Sequence, residues 1–162
     1  KIIIRHVTDG VVLGKKYRLP RRLIDFMLEH HGSNITRYQY SQALEDAHGD
    51  VSKVDIEKFR YPGPVPQSRE TALLMLADGT EAWARAEPPQ TEYEFRSLVH
   101  KAIETVQKSG QLENTRLTLR DLSLIKESFI TTLRGTRHPR VKYPKDKGKS
   151  ASQGIETKPN GK

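Results

Sequence analysis

A chain of 162 residues fits one domain, and at 35% hydrophobic it carries apolar residues for a modest core. It has no cysteine, which excludes a disulfide framework, a thiolate metal site and thiol catalysis. The net charge is +8, but from Thr136 to Lys162 eight basic residues face two acidic ones, so the body is nearly balanced and no specific nucleic-acid partner is expected.

Ile3, His6, Val7, Gly10, Leu13, Gly14 and Tyr17 fall at helical spacing and predict a first helix. Gly10 and Gly14 each cost a helix about 1 kcal/mol relative to Ala, which implies close approach of a neighbouring backbone or a ligand. Leu19-Pro20 opens a second helix, with proline at an early position where its missing N–H costs nothing. Leu23, Ile24, Met27, Leu28 and His31 continue it, and Gly32 ends it as a left-handed cap. The doublet His30-His31 is therefore expected in the last helical turn.

Residues 34–48 predict a more polar helix packed through Tyr38, Tyr40 and Leu44, and residues 53–59 a short helical turn. The segment from Phe59 to Gln67 holds three prolines in five residues, which forces a stiff, extended loop. Ser68 then caps a helix running to about Glu87, stopped by Pro88-Pro89. Thr91 and Glu94 form a capping box for a helix with an apolar stripe at Phe95, Leu98, Val99, Ala102, Ile103 and Val106, ended by Gly110. Thr118 caps a last helix that turns Leu122, Ile125, Phe129 and Leu133 inward and ends at Gly135. There is no sustained period-two alternation and no internal repeat, so the fold is expected to be all-α.

Residues 145–162 are rich in Lys, Gly, Ser and Pro and cannot bury enough apolar surface to order themselves. A disordered basic tail is expected there, behind a domain at 1–144. No apolar run is long enough to cross a bilayer and no signal peptide is present, so a soluble piece is expected. The chain begins without Met inside an apparent helix, as a piece of a larger protein would.

His6, His30, His31 and Asp78 interrupt otherwise apolar or small-residue faces. Imidazoles and a carboxylate from three helices suit a divalent ion such as Mn²⁺, Fe²⁺ or Mg²⁺. Each also has a plainer reading. The doublet fits a polar helix end, where cationic imidazoles meet the negative dipole end. His6 fits a half-buried helix face. Asp78 lies in the most hydrophobic stretch of the chain, where a buried carboxylate needs a partner. That partner is Arg85, Arg69 or a metal ion. Arg60 and Tyr61 either belong to a rigid connector or hold a guanidinium and a ring ready to clamp a phosphate and stack on a base. The lone Trp83 reads as helix packing. No phosphate loop, dinucleotide fingerprint or nucleophile elbow is present.

Three blocks resemble HD-domain phosphohydrolases. Ile4-Arg5-His6-Val7-Thr8-Asp9-Gly10 is similar to the third motif of that family, and Leu19-Pro20, Ile24-Asp25-Phe26 and His30-His31-Gly32 to the fourth. The proline-rich loop, Glu70-Thr71-Ala72, Met75-Leu76-Ala77-Asp78, Glu81-Ala82 and Arg85 resemble the last. The branch is the seven-transmembrane receptor-type HD family, whose members hydrolyse cyclic di-AMP. The resemblance covers about residues 1–144. It implies an HD-type helical bundle with two divalent ions, Mn or Fe. His6, His30 and His31 would hold one ion and Asp78 the other. A metal-activated hydroxide would open the cyclic dinucleotide to its linear form, with Arg60 and Tyr61 beside the substrate. It also implies a transmembrane region in the parent, with this domain at the cytoplasmic face of a bacterial membrane.

The family's first His and its eponymous His-Asp doublet, whose Asp bridges the ions, have no counterpart in the 162 residues. The bundle is thus expected to be N-terminally truncated and to turn over little alone. Gly79-Thr80 replaces a bulkier pair after the Asp and is expected to soften the helix. Another nucleotide substrate, such as cyclic di-GMP or an alarmone, a non-catalytic nucleotide sensor, and a basic nucleic-acid module are the competing readings.

Overall fold

The computed structural model describes residues 2–137, and the expected domain boundary at 144 and the tail at 145–162 lie outside the described residues. Six α-helices follow one another: α1 (Ile2–Lys16), α2 (Arg21–Glu29), α3 (Arg37–Asp46), α4 (Arg69–Ala86), α5 (Glu92–Lys108) and α6 (Leu119–Arg137). Two single turns of 3₁₀ helix, Val51–Lys53 and Ile56–Phe59, sit between α3 and α4, each capped by an Asp side chain. Among the described residues there is no strand, only an isolated bridge between Ile35 and Arg60. The fold is all-α, as the periodicity requires.

The helix starts follow from local chemistry. The Ser68 hydroxyl accepts from the Thr71 N–H at the head of α4. Thr91 and Glu94 exchange both bonds of a capping box at α5. Thr118 and Asp121 make the same reciprocal pair at α6. Such caps contribute about 1 kcal/mol each.

The apolar stripe of α5 faces α4 and α6. Phe95, Val99 and Ile103 join Leu76 of α4 with Leu122 and Ile130 of α6 in one core. Each such side chain gains about 1.5–3 kcal/mol from burial. On its other side α4 packs against α2, which carries α1. Thus α4 is the spine on which the α1–α2 pair and the α5–α6 pair meet.

Several expectations need correction. α2 ends at Glu29; His30 is its C-cap and His31 lies beyond it, because the chain turns into Gly32 at φ +52°. α3 starts at Arg37, not residue 34, because residues 34–36 pair with the proline-rich segment: Thr36 N–H donates to Phe59 O and Tyr61 N–H to Asn34 O. Tyr38 is exposed, while Tyr40 packs as expected, edge-on against Phe59. Gly14 lies against the side chains of Ile24 and Met27, whereas Gly10 faces open space. α6 runs through Gly135 to Arg137. α4 stays helical through Gly79-Thr80, where the Thr80 hydroxyl donates back to Leu76 O.

Candidate metal centre

Three segments bring their imidazoles to one point. His6 projects from the first half of α1, His30 from the C-cap of α2, and His31 from the turn that follows. One ligand atom from each lies within 4.8 Å of the other two. The tautomers of His6 and His30 follow from their neighbours. The Nδ1–H of His6 donates to Ile3 O, and the Nδ1–H of His30 donates to Met27 O at 2.9 Å. In the neutral rings both Nε2 atoms are then bare lone pairs, and they face each other across 3.2 Å. Two acceptors at that separation repel unless a proton or a cation lies between them. Two imidazoles bound at right angles to one ion, with bonds of about 2.1 Å, stand about 3 Å apart. The donor set therefore fits a divalent ion.

His31 is held differently. Its ring stacks on Tyr61, with centroids 4.2 Å apart and planes 22° from parallel, and leans on His30 at 4.0 Å. Burial, and then the neighbouring His30 and His6, push its pKa down to about 4. His31 is thus neutral at pH 7, the form that binds metal. Its Nδ1 lies 3.5 Å from the Asp78 carboxylate, a contact that is no ion pair at that pH.

Asp78 differs from the sequence expectation: its side chain is 46% exposed, not buried. Neither expected arginine meets it. Arg69 pairs with Asp121 and Arg85 with Glu81. The α4 face that carries Asp78 opens onto a groove at the α2–α3 turn, and solvent relieves the carboxylate of the burial cost. The Tyr61 pKa is raised by burial and by the negative charge of Asp78, so its hydroxyl stays protonated. The Arg60 guanidinium turns away from the cluster, donating to Glu57 and to Ser33 O.

A groove of about 360 Å³ runs from His31, Tyr61 and Asp78 past Asn34 and Thr36 to Trp83. That is within the usual range for small-molecule sites. Trp83 is half-buried, with the Lys101 ammonium 5.2 Å over its ring. A larger groove between α4 and α6, about 630 Å³, contains none of the cluster.

Two supporting residues escaped the sequence reading. Gln111 is buried, accepts from the Ser33 N–H at 3.0 Å and fixes the turn after the doublet. Glu29 is 6% exposed, and one carboxylate oxygen accepts from Gln67 N–H and from the Thr71 hydroxyl. Asp25, four residues earlier on α2, makes Glu29 read as part of a solvated stripe. Nothing in the spacing marks either residue.

No family model matches the chain. It is 36% identical over 143 residues to the cyclic-di-AMP phosphodiesterase PgpH of Bacillus subtilis (strain 168), covering 88% of this chain and 20% of that protein. It is 33% identical over 146 residues to PgpH of Listeria monocytogenes, covering 90% of this chain and 20% of that protein. The crystal structure of the Listeria PgpH HD domain in complex with cyclic-di-AMP superposes with a TM-score of 0.78 at 30% identity, over 88% of this chain and 65% of that one. The chain has the fold of the PgpH HD domain and is similar to it over 88% of its own length. It spans about one fifth of the length of the curated relatives it matches. In this HD domain the three histidines lie at one point and Asp78 contacts one of them, while Arg60 is engaged elsewhere.

Proposed function

We propose that this HD domain is the hydrolytic unit of a metal-dependent phosphodiesterase that opens cyclic di-AMP to the linear dinucleotide. The observation that carries the reading is the pair of opposed Nε2 lone pairs on His6 and His30, with neutral His31 beside them. His6, His30 and His31 hold one divalent ion, Mn or Fe, and Asp78 holds a second. Such ions supply a hydroxide nucleophile and polarise the phosphate. Backbone carbonyls at Ile3 and Met27 keep the two Nε2 atoms aimed inward. Tyr61 braces His31 with one face and offers the groove its remaining edge to flank a base. Arg60 reaches a phosphate only by releasing Glu57.

In this reading residues 1–144 act as the HD unit, in a longer protein that places it at the cytoplasmic face of a membrane. That location rests on the resemblance to the seven-transmembrane receptor-type HD family. No helix among the described residues is long and apolar enough to cross a membrane.

The test uses the protein that carries this domain, loaded with Mn²⁺ and given cyclic di-AMP or cyclic di-GMP. Linear product from cyclic di-AMP is expected. His30→Ala and Asp78→Ala should each lower the rate by more than about 100-fold, above the usual loss for residues that only support a ligand. Turnover that survives both substitutions refutes the reading.

A further inference from the structure

The two halves of the centre sit on different helices: the doublet at the end of α2, Asp78 midway along α4. Something must set their register, because a slip of one residue along a helix moves a side chain about 1.5 Å and turns it about 100°. Glu29 immediately precedes the doublet and is buried. Its Oε2 accepts from the Thr71 hydroxyl at 2.6 Å and from the Gln67 N–H at 2.8 Å. Thr71 is fully buried and lies seven residues before Asp78, two helical turns along the same face of α4. Gln67 belongs to the loop that delivers Tyr61 to the His31 ring. One carboxylate oxygen therefore ties together the three segments that carry the doublet, Asp78 and Tyr61.

The surroundings fix that oxygen in turn. The Ser68 Oγ lies 3.1 Å from the Thr71 hydroxyl, and Arg22 donates to Ser68 Oγ and to Glu70. At the far end of the doublet, Gln111 holds Ser33. His30 and His31 are thus clamped from both sides.

We infer that Glu29 is a positioning residue for the metal centre: its two hydrogen bonds, to Thr71 and Gln67, set the register of His30-His31 against Asp78 and Tyr61. This rests on the metal reading proposed above for its consequence, though not for its geometry. Hydrogen bonding, not charge, carries the effect. Both bonds converge on one oxygen, and the carbonyl of a glutamine can accept both without the charge.

The experiment titrates Co²⁺ into the chain and into Glu29→Gln, Glu29→Leu and Thr71→Val, following the visible spectrum of the bound ion. In parallel, nuclear Overhauser effects between the His31 and Tyr61 rings are recorded without metal. Glu29→Gln should match the parent in both. Glu29→Leu should bind Co²⁺ at least about tenfold more weakly, in the range seen when a ligand loses its support, and lose the ring–ring signals. Thr71→Val should fall between them, and it carries the test if Glu29→Leu does not fold. Parental affinity and ring signals in both Glu29→Leu and Thr71→Val overturn the inference. So does a Glu29→Gln variant as impaired as Glu29→Leu, since charge would then be the cause. If the parent binds no Co²⁺ the metal reading fails by itself, and the ring signals still decide the role of Glu29.

Discussion

Among single residues His31 makes the sharpest statement about solution behaviour. Its folded pKa is about 4, against about 6.5 in an unfolded chain, and burial is the first cause. Between those values the unfolded chain binds more protons, so stability falls as pH drops from 6.5 toward 4 and is complete above 6.5. Thermal midpoints of the metal-free chain at pH 7.5 and pH 4.5 should differ more for the parent than for His31→Asn. Equal losses in both would show that His31 is not held neutral. How far this residue was legible beforehand is instructive. The doublet was visible mainly through the likeness of His30-His31-Gly32 to a family motif, since adjacent imidazoles also fit an ordinary polar helix end. Asp78 was visible because a lone carboxylate stands out in a run from Thr71 to Ala77. Its exposure was not visible, because that depends on where the turn after α2 stops, a tertiary fact. Glu29 was illegible for the opposite reason: a charged residue on a mixed helix face is ordinary until a partner in another segment buries it.

At the scale of elements, local rules placed the starts of α4, α5 and α6, but not that of α3, which pairing with the proline-rich segment delays. Ser68, Thr91 and Thr118 each cap where hydroxyl chemistry at an N-terminus requires. Helix ends were less legible: Gly135 has an open environment and α6 simply continues past it. Two glycines separate packing from propensity. A Cβ at Gly63 would lie 2.0 Å from Leu28 O and 3.2 Å from Gly32 O, both backbone atoms that cannot step aside. Gly63→Ala should therefore destabilise by about 1–3 kcal/mol, the usual cost of overpacking, and push the Tyr61 loop off α2. Gly79 has nothing within 4 Å of its missing Cβ and sits inside α4. Gly79→Ala should stabilise by about 0.5–1 kcal/mol, since only the helix propensity changes. Denaturant midpoints measure both. A loss at Gly79 or a gain at Gly63 would contradict the packing described.

For the whole molecule, the ligand inventory bears on the proposed activity. Three imidazoles and Asp78 are the donors gathered at the centre among the described residues, and the 162 residues contain no His-Asp dipeptide. A centre of two ions would need protein donors for both of them. In the proposed reading the histidine trio holds one ion. In that reading Asp78 supplies the second ion with one ligand among the described residues. Metal binding and catalysis should therefore come apart: the chain takes up one Mn²⁺ but turns over cyclic di-AMP poorly. Losing one of two ions removes several kcal/mol of transition-state stabilisation, and about 4 kcal/mol is about a thousandfold in rate. The check is to measure bound manganese and product formation on the same sample, beside the longer protein that carries the domain. One ion with turnover at least about a thousandfold below that protein is the expected pair of results. Robust turnover by the chain would mean that a donor outside the described residues completes the centre, and two bound ions in the same sample would say the same.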